Sequence, residues 1–210
     1  DIKYINNSAW NNHDSVLDGA EMMFVNNVEN TLNCYFVSDP AGNCGYNLPY
    51  AGMAMAKSCA GIGDHTWSHE MGHALSLPHP FLGWEGGVSH DGSVQHSYND
   101  PAPETVLYNY TYFKDTLIMD TVIIDTAYVE KTDGSNCHFA ADGFCDTKPD
   151  YLSSRWPCGS DSLSNTVQTD PDTVQFLSDG KLIMSYSFDS CVDGFSDEQI
   201  GAMRANLQDE

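Results

Sequence analysis

The first third of the chain alternates between short apolar runs and polar, turn-rich stretches. Apolar runs at 1–6, 32–37 and 53–57 have the length and residue types of β-strands. They precede a stretch of about residues 64–77 in which apolar residues recur at helical spacing. Asp64 can cap the start of this helix, and Pro78 stops it. These elements predict a sheet followed by one amphipathic helix.

The rest of the chain is irregular and rich in Gly, Asp, Asn and Ser, with two exceptions. Residues 106–113 and 116–129 carry the β-branched and aromatic residues of added strands or a hairpin. Near the end, Ser196 and Gln199 form a capping box that opens a helix with an apolar stripe. The stripe consists of Ile200, Met203 and Leu207. We therefore expect an α+β fold in a single domain.

Charge changes the choice of partners. The 210 residues include 30 Asp and Glu against 8 Lys and Arg, a net charge of −22. This balance argues against nucleic acid or an anionic membrane as a partner and favours solubility and cation binding. We find no run long enough to cross a membrane and no signal peptide, so we expect a mature or trimmed form of a secreted protein. The sequence leaves the oligomeric state open.

The predicted helix carries a metal-binding pattern. His69 and His73 are four residues apart and so lie on one helix face, with Glu70 beside them and His79 six residues further on. Such five-residue matches also arise by chance, but the apolar helix and the third histidine after Pro78 favour a catalytic site. We expect His69, His73 and His79 to bind zinc and Glu70 to act as general base.

The longer pattern resembles that of the metzincins, HExxHxxGxxH followed by a methionine-containing turn. Ser76 occupies the glycine position, where the backbone must turn sharply, at a cost of order 1 kcal/mol for a non-glycine residue. The segment Leu182-Ile183-Met184-Ser185-Tyr186 resembles the Met-turn. By this resemblance Met184 is the apolar floor under the metal, and Tyr186 donates a hydrogen bond to the oxyanion.

Further segments resemble the pappalysin (cytophagalysin-type) branch of the metzincins. They are LNCYFV, HEMGHALSLPH, the segment from Ile183 to Leu207, and DGFCDTKPD, in which Lys148 is inserted. The resemblance covers most of 28–88 and 137–207. It implies a zincin fold in which the upper part, 1–79, contains a mixed, twisted sheet and the active-site helix. The lower part, 80–210, is then irregular and ends in a helix. It also implies a zinc endopeptidase in which 53–57 forms the edge of the sheet, so that protein or peptide substrates bind along it as extended strands.

Acidic side chains crowd the segment after Cys137. Asp142, Asp146, Thr147 and Asp150 would repel one another unless a cation neutralised them. Calcium accepts carboxylate and hydroxyl oxygens in flexible geometry, so we expect a calcium ion with Asp142, Thr147 and Asp150 as ligands. The resemblance to the pappalysins also implies a structural calcium ion near this block. The alternative is a solvated acidic turn, which is common in a chain this anionic.

The seven cysteines have no paired CxxC spacing, so disulfides are favoured over thiolate metal ligands. The resemblance suggests a bridge between Cys158 and Cys191. Cys137 and Cys145 flank a short acidic loop, and Cys44 and Cys59 bracket the strand before the active-site helix, so we expect these two further pairs, although sequence alone does not define connectivity. Cys34 is then left over as a small buried hydrophobe.

Three questions stay open at this level. A downstream glutamate such as Glu85 or Glu104 could replace His79 as third ligand, as in gluzincin-type peptidases. The chain could also be a binding or adhesion module without catalysis, although Glu70 argues against it. Residues 89–136, an insertion relative to the resemblance, could border the substrate cleft or be a surface elaboration. We expect His90 and His96 within it to be surface residues.

Overall fold

The computed structural model describes residues 2–49, 51–85, 96–110, 113–115, 118–119 and 123–208. These residues form an α+β structure of short helices and small sheets. They fall into two compact units that separate after Ala74, whereas the sequence suggests a division after residue 79. The first unit comprises the described residues of 1–74 and 112–121, and the second those of 75–111 and 122–209.

The first unit is built on a three-stranded mixed sheet. Its elements are α1 (Ser8–Asn11), β1 (Asn12–His13), α2 (Val16–Asn26), β2 (Cys34–Val37), β3 (Asp39–Pro40), β4 (Gly45–Leu48), β5 (Gly52–Ala56), a 3₁₀ turn (Lys57–Cys59) and α3 (Thr66–Ala74). The strand order is β2-β5-β4, with β5 parallel to β2 and antiparallel to β4. The predicted strands at 32–37 and 53–57 are thus confirmed, each with slightly different bounds.

The prediction that 53–57 forms the edge of the sheet is wrong, because β5 is the central strand. Met53, Ala54 and Met55 are all fully buried, as expected for a strand covered on both faces. Strand β4 is an edge of this sheet instead.

The start of the chain also differs from the prediction. Residues 2–6 form no strand, and Ile2 and Tyr4 are exposed. Helix α2 was not predicted, although Ser15 caps it by accepting a hydrogen bond from the Asp18 amide. Its Met22 and Met23 pack in a cluster with three buried residues of the sheet region, Val37, Ala51 and Ala54. Burial of this face holds the helix on the unit.

The remaining elements are β6 (Thr105–Tyr110), β7 (Phe113–Asp115), β8 (Ile118–Met119), β9 (Ile123–Tyr128), β10 (Gln168–Thr169), β11 (Gln175–Phe176) and α4 (Asp197–Asn206). Strands β6 and β9 form the antiparallel hairpin predicted for the insertion. Helix α4 begins at the predicted capping box. Met203 packs against a buried cluster, whereas Leu207 is exposed, so the predicted apolar stripe is only partly buried.

The second unit has two buried apolar clusters. The larger one contains Phe81, Trp84, Ala102, Val106, Val129 and Tyr151. Val106 lies on β6, so the base of the insertion hairpin belongs to this core. The smaller cluster contains Leu77, Ile183 and Met184. Both clusters lie close in sequence to a predicted site residue, His79 in the first case and Tyr186 in the second.

The two histidines expected at the surface of the insertion have different outcomes. His96 is half-buried, with its ring 5.3 Å from that of Trp84, because the segment packs on the larger cluster of the second unit. His90 lies outside the described residues.

Three disulfides crosslink the chain. They join Cys44 to Cys59, Cys137 to Cys145 and Cys158 to Cys191, which are the pairs expected from the sequence. Cys34 is a free thiol, as predicted, and is half-buried. Such bonds persist in oxidising compartments, so they fit an extracellular protein. In the part of the chain that the structure describes, no helix is both long and apolar enough to cross a membrane.

Candidate metal centre

Helix α3 brings two imidazoles together. His69 and His73 are one turn apart, and their Nε2 atoms lie 3.1 Å from each other with the rings nearly perpendicular. Two ring nitrogens this close repel through their lone pairs unless a proton or a cation lies between them. The helix itself ends at Ala74, three residues earlier than predicted.

His79 completes a set of three. Ring nitrogens of His69, His73 and His79 all lie within 4.8 Å of one another. The chain reaches this point through Ser76, which has the left-handed backbone conformation (φ 70°) that the sequence predicts for this position. Three imidazoles at this separation match the donor set of a catalytic zinc ion. The triad can therefore bind a metal ion.

Glu70 is buried beside the two helical histidines. Burial raises the pKa of its carboxyl group to about 7. Strand β4 passes close by, because a Cβ atom at Gly45 would lie 3.1 Å from Glu70 Cγ. The pKa of the free Cys34 thiol is raised to about 11, mainly by burial and to a smaller extent by the negative charge of Glu70. Glu70 therefore lies in a shielded pocket of the first unit.

His79 is held by neighbours in the second unit. Its Nδ1 lies 3.2 Å from Glu85 Oε1, its ring stacks on Phe81 at 4.4 Å between centroids, and Tyr186 meets it edge-on at 5.0 Å. Burial lowers the pKa of His79 to about 4. The contact with Glu85 is therefore a hydrogen bond from a neutral imidazole and not an ion pair. From the sequence, Glu85 is only an alternative to His79 as a ligand.

The segment predicted as a Met-turn is a turn. The Ser185 amide donates to the Leu182 carbonyl at 3.1 Å, and Met184 is fully buried against Leu77 and Ile183. Tyr186 follows and packs on Phe81, with ring centroids 4.6 Å apart. The structure thus brings Tyr186 next to His79 and buries Met184 in the smaller apolar cluster of the same unit.

The acidic side chains that follow Cys137 differ in their burial and in their hydrogen-bond partners. Asp150 is fully engaged: its carboxylate accepts hydrogen bonds from the Leu152 amide and from the hydroxyls of Ser178 and Ser185. Asp142 is buried, and its Oδ1 atom accepts from Thr147 Oγ1 and the Phe144 amide. Burial raises the pKa of its carboxyl group, an effect that these two donors and the Gln199 side chain partly offset. Among the described residues, its Oδ2 atom makes no hydrogen bond of ordinary geometry. Asp146 is exposed and accepts from the Glu198 amide.

Glu130 is a residue that sequence reasoning missed. It is buried, its Oε2 atom also lacks a partner among the described residues, and burial together with the Asp142 charge raises the pKa of its carboxyl group to about 9. The two carboxylates are buried and near enough for the Asp142 charge to raise the pKa of Glu130, and each has an oxygen without a hydrogen bond of ordinary geometry among the described residues. Such a pair is suited to a hard cation. The sequence does show a carboxylate at this position, between the predicted strand at 116–129 and Cys137. It does not show that this carboxylate lies near Asp142, because that distance depends on the fold.

A second cluster brings together atoms of the types that bind metals, but its two sulfurs form a disulfide. Cys137, His138 and Cys145 lie within ligand distance of one another, but the two sulfurs are bonded together. A disulfide sulfur is not the thiolate that binds a metal. This cluster is therefore a structural crosslink.

Comparison of the chain with models of known protein families finds no match, and comparison with curated proteins finds none either. The function must therefore be argued from the site itself.

Proposed function

We propose that this protein is a zinc-dependent endopeptidase of the metzincin type, related to the pappalysins. The observation that carries the proposal is the convergence of His69, His73 and His79, with the buried carboxylate of Glu70 on the same helix as the first two. Three neutral imidazoles leave a coordination position open, which distinguishes a catalytic zinc site from a structural one. The left-handed turn at Ser76 and the turn with buried Met184 support the same family.

The roles of the side chains follow from their chemistry. When bound, zinc lowers the pKa of a coordinated water and polarises the scissile carbonyl. Glu70 takes a proton from the attacking water and delivers it to the leaving amine. Tyr186 donates a hydrogen bond to the carbonyl oxygen as negative charge develops on it.

Substrates are proteins or peptides that bind in extended form. Among the described strands, β4 pairs only with β5, so its other edge can accept a further strand. Gly45, the first residue of β4, packs against the Glu70 side chain. A peptide added along β4 therefore runs close to the base. The three disulfides support secretion as the route to such substrates.

The gluzincin alternative is disfavoured by the partners of both glutamates. The Glu85 carboxylate binds His79 and the Gly83 amide, and Glu104 pairs with Lys131 at 3.2 Å. The triad found among the described residues contains His79 and neither glutamate. A binding module without catalysis has no use for a buried base at position 70.

We also propose a structural calcium ion, held by Asp142, Thr147 and Glu130. The unpaired oxygens of the two carboxylates support this, since each costs free energy unless a cation or a proton satisfies it. Asp150, the third ligand expected from the sequence, is replaced by Glu130 in this proposal, because hydrogen bonds already occupy both of its oxygens.

The test of peptidase function is Glu70→Gln. We expect this variant to bind one zinc ion as the parent protein does and to lose nearly all cleavage of a quenched fluorescent protein substrate, since the ligands remain and the base is lost. Glu21→Gln, an exposed glutamate on α2, is the matched control and should keep full activity. Zinc content is measured by elemental analysis alongside the rate.

Substantial turnover by zinc-loaded Glu70→Gln would overturn the assignment of the base. His79→Ala separates the two ligand sets: we expect weak zinc binding and no activity. Retained zinc and activity in that variant would favour the gluzincin alternative.

A further inference from the structure

Glu85 is fixed at both carboxylate oxygens. Oε1 lies 3.2 Å from His79 Nδ1, and Oε2 accepts a hydrogen bond of 2.7 Å from the Gly83 amide. A carboxylate can only accept, so the Nδ1 atom of His79 must carry the proton. A neutral imidazole has a single N–H group, and its Nε2 atom then offers a lone pair.

The Gly83 amide is itself held in place by the insertion hairpin. Gly83 has φ 93°, and a Cβ atom there would lie 2.6 Å from Val106 Cγ2 and 2.9 Å from Ala127 Cβ. Val106 belongs to β6 and Ala127 to β9. Only glycine fits this close approach without a shift of its neighbours. The hairpin therefore packs against the backbone group that orients Glu85.

The His79 ring is also restrained across its plane. Phe81 stacks on one face with an interplanar angle of 11°, and Tyr186 contacts the ring edge-on. Stacking leaves the ring free to flip by half a turn about the Cβ–Cγ bond, which would exchange Nδ1 with Cδ2 and Nε2 with Cε1. The hydrogen bond to Glu85 removes that freedom, because only one orientation presents Nδ1–H to Oε1.

We propose that Glu85 is a positioning residue for the third metal ligand. Its carboxylate holds the proton on His79 Nδ1, so that Nε2 is directed to the metal. The inference rests on the proposed function and deepens it, since it assigns a role to a residue that the sequence offers only as a rival ligand. The 89–136 insertion then has a structural role as well. The base of its hairpin packs against Gly83, and the Gly83 amide donates the hydrogen bond that orients Glu85.

The experiment measures zinc affinity of the full chain by competition with a chromophoric chelator, with no substrate present. Glu85→Ala should lower the affinity by about 10- to 100-fold, as expected when a hydrogen-bond partner of a metal ligand is removed. Glu85→Gln keeps a carbonyl acceptor for Nδ1–H and should lose less. Glu104→Gln removes the same charge from an exposed site in the same unit and should bind zinc as the parent does.

A spectroscopic measurement keeps the proposal falsifiable if the alanine variant does not fold. In the zinc-loaded protein labelled at histidine nitrogens, the weaker acceptor in Glu85→Gln should move the Nδ1 proton resonance of His79 upfield. An unmoved resonance, or a Glu85→Ala variant with parental affinity, overturns the proposal. Failure of the parent protein itself to bind zinc, or binding unaffected by His73→Ala, would instead overturn the proposed function.

Discussion

Asn206 donates a hydrogen bond of 2.9 Å to the hydroxyl of Ser76. Asn206 is the last residue of α4, and Ser76 is the left-handed residue between α3 and His79. The metzincin pattern has glycine at this position. Ser76 has φ 70°, a backbone conformation that is unfavourable for a residue with a Cβ atom. The hydroxyl offsets part of that cost by binding the end of α4.

A double-mutant cycle tests this compensation. Asn206→Ala should lower the free energy of unfolding by about 0.5 kcal/mol in the parent protein, the low end for an exposed hydrogen bond, and should have no effect in the Ser76→Gly background. Ser76→Gly alone should be neutral or stabilising by up to about 1 kcal/mol. Ser76→Val should destabilise by about 1–2 kcal/mol, since a β-branched residue fits φ 70° poorly. Urea unfolding gives all four values, and an equal Asn206→Ala effect in both backgrounds would contradict the coupling.

Tyr186→Phe should separate turnover from binding. The ring contacts with His79 and Phe81 remain in the variant, while the hydroxyl is lost. We expect kcat to fall by about 10²- to 10³-fold and KM to change little, as for removal of one oxyanion donor. Steady-state kinetics on a peptide substrate give both constants, and an unchanged thermal midpoint serves as the folding control. A change confined to KM would exclude the oxyanion role.

Calcium should stabilise the protein through Glu130 and Asp142. Calcium added to protein shown by elemental analysis to be calcium-free should raise the thermal midpoint, and Glu130→Gln or Asp142→Asn should abolish the rise. Asp150→Asn is the control that retains it, because the Asp150 oxygens are already hydrogen-bonded. A midpoint indifferent to calcium would leave only an acidic turn. A calcium effect that is lost in Asp142→Asn and in Asp150→Asn but kept in Glu130→Gln would favour the ligand set expected from the sequence.

Asp150 should make stability depend on pH. Burial raises the pKa of its carboxyl group from 3.8 to about 6. Because the folded state holds this proton more tightly than the unfolded state, the contribution to stability is full below about pH 4 and is lost as the pH rises through about 6. The full loss is of order 3 kcal/mol.

The measurement is the free energy of unfolding at about pH 4.5 and about pH 7.5 in Asp150→Asn and in the parent protein. Since other groups titrate in the same range, the difference between the two proteins is the informative quantity. The variant should lose less stability on going to the higher pH. The exposed control Asp14→Asn should follow the parent, and an Asp150→Asn variant that also follows it would refute the prediction.

Several elements could be predicted because their determinants are local. Residues four apart on a helix share a face, so the pairing of His69 with His73 needs only the helix. The capping box at Ser196 opens α4 for the same reason. Helix α2 has similar local signals around Ser15 and could have been found. The strand predicted at 1–6 failed because a strand needs a partner, and none pairs with residues 2–6 among the described residues.

Local sequence is sufficient for the metal-binding chemistry: two histidines and a glutamate on one helix, a third histidine after the turn, and a left-handed residue between them. It is not sufficient to tell which strand has a free edge, because β4 and β5 are both short strands that differ in their pairing. The folded chain also brings Glu85 to His79 and Glu130 near Asp142. These contacts depend on where irregular loops and a hairpin return in space, which no local spacing along the chain encodes.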